Sequence, residues 1–193
     1  ALSFEPSHLS LYQLTIENGT AFGDRFDRGK LDGLPDEDLG TALWDMTQDR
    51  TERAGLPAYE ISNHAKPGEE SRHNLIYWQG GDYAGIGPGS HGRLTLGGRR
   101  WSTESVKDPG TWLQASRTGS AETRRALSEA EVLQEKLLMG LRLSDGVMLS
   151  SQDEMRIFKN IKYLYDLNLV TLDQGELRLT RAGRPLLNAA LDR

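Results

Sequence analysis

The residues best suited to chemistry are crowded into one stretch of the chain. Arg72-His73-Asn74-Leu75-Ile76-Tyr77-Trp78 sets a single imidazole close to two large aromatic rings. Imidazole is a good donor to iron, and flat aromatic faces suit a porphyrin. His73 is therefore a candidate axial ligand for heme iron, with Tyr77 and Trp78 as aromatic walls. Asn74 or a backbone carbonyl would hold the second ring nitrogen and fix the tautomer, and Arg72 would pair with a propionate. The same residue types also make an ordinary packed cluster, so local chemistry leaves both readings open.

A glycine run follows, Gly85-Ile86-Gly87-Pro88-Gly89-Ser90-His91-Gly92. It suits tight turns or a close approach of two backbones. As a dinucleotide fingerprint it lacks the helix and acidic partner that such a site needs.

These residues need elements to hold them. His8 to Glu17 alternates imperfectly and lies between Pro6 and Asn18-Gly19, which predicts a strand. Residues 23–35 predict a loop. Pro35-Asp36-Glu37-Asp38 then starts a helix with acids where the dipole favours them, running to about Ala54 and stopping at Gly55. Leu39, Leu43 and Met46 share one face of it. A strand at about Ala58 to Ser62 completes a βαβ unit, and such a unit needs something else packed beside it. Residues 63–120 carry weak periodicity and predict irregular structure with one or two short strands. They hold three of the four histidines and three of the four tryptophans, and these aromatics argue against disorder.

A regular pattern resumes at Ser128, whose partner Glu131 makes a capping box for a helix to about Leu141. A second helix covers about Ser151 to Leu167. Leu169 to Leu172 and Leu177 to Leu179 form a hairpin around Asp173-Gln174-Gly175, and a last helix from near Arg181 carries Leu186, Leu187, Ala190 and Leu191. This order predicts a small winged-helix-like unit. The expected organisation is two domains, 1–120 and 121–193, parted in the polar stretch Ser116 to Arg125.

The chain has 193 residues, 37% hydrophobic and 26% charged, which suits a globular protein. No apolar run is long enough for a membrane span, and the start has no signal-peptide pattern. The chain opens on Ala1 rather than Met, which suggests a fragment or a processed chain. The net charge of −5 disfavours nucleic-acid binding. Residues 127–193 hold nine Lys or Arg against ten Asp or Glu, and the helix there mixes Asp153, Glu154, Arg156, Lys159, Asn160 and Lys162, unlike a basic recognition stripe. No cysteine is present. That excludes disulfides and thiolate-held zinc or iron–sulfur sites within the chain, and it fits a cytoplasmic setting.

The strings YEISN, HNLIYW and GDYAGIGPGSHG occur in this order, flanked by HLSLYQLTIENGT and LPDED upstream and LTRAGRPLLN near the end. Over essentially the whole chain, this resembles the HemW-like members of the radical-SAM coproporphyrinogen III oxidase family. HNxxYW is the most specific part, matched at His73, Asn74, Tyr77 and Trp78. The resemblance implies an α/β fold, the last strand–helix units of an incomplete (β/α) barrel followed by a small helical domain. It implies a heme chaperone that binds heme at or near His73 and passes it to an apo-hemoprotein. The family's [4Fe-4S] cluster and S-adenosylmethionine chemistry depend on a CxxxCxxC motif that this chain lacks.

Further roles come with the resemblance. Thr15 and His91 fall where the oxidase branch lines its S-adenosylmethionine pocket, and His91 is also an alternative heme ligand. His64 and His8 are expected to be structural. Glu17 and Glu60 would close two barrel strands, where catalytic groups gather, or be satisfied by backbone or Arg. Two other functions stay open: an oxidase acting on coproporphyrinogen III, for which this chain supplies only the substrate side, and an interaction domain without a cofactor. Open strand edges predict that the chain dimerises or swaps.

Overall fold

The computed structural model describes residues 1–14 and 16–187. They form two compact units, Ala1–Glu70 and a second from Ser71 onward. None of the described helices is long and apolar enough to cross a membrane.

The first unit holds β1 (His8–Ser10), α1 (Ala21–Asp27), α2 (Glu37–Arg53), β2 (Ala58–Glu60) and β3 (Asn63–Ala65). The expected strand to Glu17 is only three residues long. The expected loop contains α1, which Thr20 starts by accepting a hydrogen bond from the Gly23 N–H at 3.1 Å. Asp36 caps α2 in the same way, from the Leu39 N–H at 2.8 Å, and α2 stops before Gly55 at φ +76°, a conformation that suits glycine.

The βαβ expectation needs correction. β1 and β2 do run in one direction, but β3 lies between them and pairs antiparallel with both. The cause is a tight return at Tyr59-Glu60-Ile61-Ser62-Asn63. The Glu60 carboxylate accepts the Ser62 N–H at 2.9 Å and the Asn63 side-chain N–H at 2.7 Å, which closes the hairpin. The buried set of this unit is small and mostly polar, with Leu56, Ala65, Thr51, Glu60, Asn63 and His64. Leu39, Leu43 and Met46 do share a face, but each stays 45–51% exposed.

The second unit begins with α3 (Arg72–Trp78), then β4 (His91–Leu96), β5 (Arg99–Ser105), α4 (Pro109–Ser116) and β6 (Glu122–Ala126). Residues 63–120 are thus far more regular than the weak periodicity implied. β4 and β5 form a hairpin whose two-residue turn is Gly97-Gly98, both at positive φ, and β6 extends the antiparallel sheet. A Gly-Gly pair between two such strands is a recognised hairpin signal. It was present in the sequence, but the strands' many charged and hydroxyl residues hid it.

The remainder follows the expected order. α5 (Glu129–Gly140), β7 (Val147–Met148), α6 (Ser151–Asp166), β8 (Val170–Asp173) and β9 (Glu176–Leu179) build a second core, with a three-stranded antiparallel sheet in the order β7-β9-β8. The Ser128–Glu131 capping box is present, and Ser150–Asp153 makes another at α6. Leu133, Leu141, Leu149, Ile157, Leu164, Val170 and Leu177 are buried together on these elements. After Arg181 the described residues show a short 3-10 turn, Arg184–Leu186, and the rest of the expected last helix, with Ala190 and Leu191, lies outside the described residues.

Candidate functional site

Ser71 starts α3 by accepting the Asn74 N–H at 3.3 Å. The i,i+4 spacing then brings His73 and Tyr77 onto one face. Their ring centroids are 4.9 Å apart at 80°, an edge-to-face contact. His73 is exposed and Tyr77 is half-buried. Tyr77 in turn meets Tyr83, 4.5 Å away at 67°.

Trp78 goes elsewhere. The Arg142 guanidinium lies over its ring, 4.5 Å from the centroid, just beyond α5. Trp78 Nε1 is buried and has no hydrogen-bond partner among the described residues. The two aromatics expected to act as a pair of walls therefore separate. Tyr77 stands beside His73, while one face of Trp78 is covered by an arginine. Arg72 is exposed at the first position of the helix.

The string Gly81 to Gly92 is a backbone scaffold. Asp82 accepts the Thr95 N–H at 2.7 Å, the Thr95 hydroxyl at 2.9 Å and the Arg100 guanidinium at 2.6 Å. The Thr95 bonds, with Arg100 beside them, hold the Asp82 carboxyl below the usual carboxylate range. Tyr83 and Arg93 exchange both backbone hydrogen bonds, at 2.8 and 2.9 Å. Two glycines permit this closeness. A methyl group at Gly85 would lie 2.5 Å from the His91 carbonyl oxygen, and one at Gly92 would lie 2.5 Å from Thr103 Oγ1 and 3.0 Å from the Tyr83 carbonyl. The run is thus a site of close backbone approach.

Other expected residues are dispersed. His91 is exposed at the start of β4, opposite Glu104, and Thr15 lies outside the described residues. His8 meets the Tyr59 hydroxyl through Nε2 at 2.9 Å, and His64 is buried in β3. Glu17 is exposed. Glu60 is fully buried and accepts hydrogen bonds from Ser62 and Asn63, as the reading of a satisfied carboxylate expects.

Sequence reasoning missed a cleft of about 1040 Å³ in the second unit, a size that suits small-molecule sites. Tyr77 and Tyr83 line it, with ion pairs along its walls. Arg93 joins Glu135 at 2.6 Å, Lys136 joins Asp153 at 3.3 Å, and Arg156 joins Glu129 at 2.7 Å. The Glu135 hydrogen bond raises the Arg93 guanidinium above its ordinary range. No local signal marks this cleft, because its residues come from elements far apart in sequence. Among the described residues, no three His, Asp or Glu side chains gather where they could hold a metal ion.

Residues 127–186 match the family model of the HemN C-terminal domain. The chain is 34% identical over 200 residues to radical S-adenosyl methionine domain-containing protein 1, mitochondrial, of Bos taurus, covering 95% of this chain and 45% of that protein. It is 35% identical over 186 residues to the heme chaperone HemW of Mycobacterium tuberculosis, covering 95% and 46%. Among solved structures it resembles coproporphyrinogen III oxidase (HemN) from Escherichia coli, a radical SAM enzyme, with a TM-score of 0.68 and 17% identity over 97% of this chain and 47% of that one. The chain spans about half the length of the curated relatives it matches. It shares an α/β fold with HemN, its residues 127–186 are a HemN C-terminal domain, and over almost its whole length it is similar to the carboxy-terminal part of HemW and HemN-like radical-SAM proteins.

Proposed function

We propose that this chain carries the heme-contacting surface of a HemW-type heme chaperone, in which His73 would hold the heme iron. The observation that supports this most is the exposed His73 imidazole, braced at its edge by Tyr77 on a capped helix. The donor set fits. One imidazole with no nearby cluster of other donors holds a bare metal ion poorly, whereas a porphyrin brings four donors of its own, so that a single histidine would suffice to hold its iron. Bound heme would supply an iron centre for delivery to an apo-hemoprotein. Tyr77 orients the imidazole, and the exposure of His73 leaves a route for release. Trp78 serves better as a support for α3 than as a wall.

A thiolate-held [4Fe-4S] cluster does not fit this chain, which has no cysteine. In the full-length family member, β1 and β2 of the first unit, which run in one direction, would belong to the last strands of an incomplete (β/α) barrel. α5 to β9 would form a winged-helix-like appendage, with the domain boundary near residue 120. The edge strand β1 favours a dimer, and a cytoplasmic setting suits delivery to apo-hemoproteins. A clean monomer in light scattering would remove the dimer.

A second reading, oxidation of coproporphyrinogen III by the whole protein, draws support from the fold likeness to HemN. An interaction domain without a cofactor would explain the scaffold but not the exposed imidazole. Hemin titration by absorbance separates these. The chaperone reading expects saturable binding with a shifted Soret band that His73→Ala removes. Parent-like binding by His73→Ala would reject His73 as the ligand.

A further inference from the structure

We infer that Tyr83, outside the HNLIYW string, is a positioning residue that sets the orientation of the His73 imidazole through Tyr77. This rests on the reading of His73 as a heme ligand.

His73 is exposed, and its ring meets that of Tyr77 edge to face. An exposed histidine on a helix ordinarily samples several rotamers, and freezing them costs free energy on binding. An edge-to-face partner reduces that cost only if the partner is itself fixed. Tyr83 supplies the fixing, with its ring 4.5 Å from that of Tyr77.

Tyr83 is in turn among the more firmly held residues of the segment. Its N–H and carbonyl are both bonded to Arg93, and Arg93 is clamped to Glu135 of α5 through Nε at 2.8 Å and Nη2 at 2.6 Å. Next to it, Asp82 accepts three hydrogen bonds from Thr95 and Arg100. Gly92 lets Thr103 and the Tyr83 carbonyl come close. The order of support therefore runs from the β4–β5 sheet to Tyr83, then Tyr77, then His73. On this account the GDYAGIGPGSHG string serves the HNLIYW string by fixing the ring on which its tyrosine rests.

The test compares Tyr83→Leu, Tyr83→Met and Tyr83→Phe with the parent chain. In the metal-free protein, NMR of the His73 ring protons reads the Tyr77 ring current directly. The expected result is that Tyr83→Leu moves these shifts toward random-coil values while Tyr83→Phe keeps them. Hemin binding should weaken about three- to tenfold in Tyr83→Leu, the scale of one ring contact, with a larger high-spin fraction in electron paramagnetic resonance. Tyr83→Phe should retain parent affinity and spectrum. If Tyr83→Leu fails to fold, Tyr83→Met carries the same expectations. Parent-like shifts and affinity in a folded leucine or methionine variant would overturn the inference. Parent-like hemin binding by His73→Ala would instead overturn the heme-ligand reading, and the metal-free shifts would still report on the ring contacts.

Discussion

The Arg142 guanidinium rests 4.5 Å from the centre of the Trp78 ring and so ties the last residue of α3 to the end of α5. A cation over an aromatic face contributes roughly 0.5–2 kcal/mol, depending on how far it is desolvated. A double-mutant cycle with Arg142→Met and Trp78→Leu, read by urea denaturation, should return a coupling of about 0.5–2 kcal/mol. Strict additivity would mean that the pair touches without contributing.

Gly92 lies where two backbones meet. The added methyl of Gly92→Ala would sit 2.5 Å from Thr103 Oγ1 and 3.0 Å from the Gly85 nitrogen and the Tyr83 carbonyl. Overpacking of this kind costs roughly 1–3 kcal/mol. Thermal unfolding should show that loss in Gly92→Ala, with partial recovery in the Thr103→Ala background, where the nearest obstructing atom is gone. No recovery would mean that the backbone neighbours carry the whole effect.

Glu60 is fully buried, and its carboxylate completes the β2–β3 return. Glu60→Ala strands the Ser62 N–H and the Asn63 amide, which should cost about 1–3 kcal/mol on chemical denaturation. Glu60→Gln keeps one acceptor and should lose less. Equal losses in the two variants would point to charge rather than hydrogen bonding.

Acid should weaken the second unit in a defined window. The backbone N–H and hydroxyl of Ser128, helped by Arg125, hold Glu131 down to about 2. A folded value below the unfolded one, about 4.3 for glutamate, gives a contribution that is present above that unfolded value. It is lost as pH falls from there toward about 2. Asp82, held by Thr95, and Asp108, held by Thr111, are lowered too and add in the same direction. Denaturation midpoints measured across this range should fall with pH, and Glu131→Gln should flatten the fall. An unchanged slope in that variant would show that the capping box does not carry the dependence.

Much of the local structure was legible before any coordinates. The start of α5 at Ser128 with Glu131, the stop of α2 before Gly55 and the hairpin about Asp173-Gln174-Gly175 each depend on contacts three or four residues apart. The family likeness, and a histidine with two large aromatics close by in the chain, were readable from short strings. α1 and the regularity of residues 63–120 were not, because their apolar periodicity is weak and their signals are single caps and turns at Thr20 and Gly97-Gly98.

Sequence alone determined which side chains are at hand and, where a helix start was legible as at Ser128, how neighbours along that helix meet; the helix that puts Tyr77 beside His73 came from the structure. Only the tertiary structure decided that Trp78 turns to Arg142, that Tyr77 leans on Tyr83, that β3 enters between β1 and β2, and that Glu60 is buried. These contacts join residues whose meeting depends on how whole elements pack, and packing is settled by the joint fit of many side chains and buried hydrogen bonds.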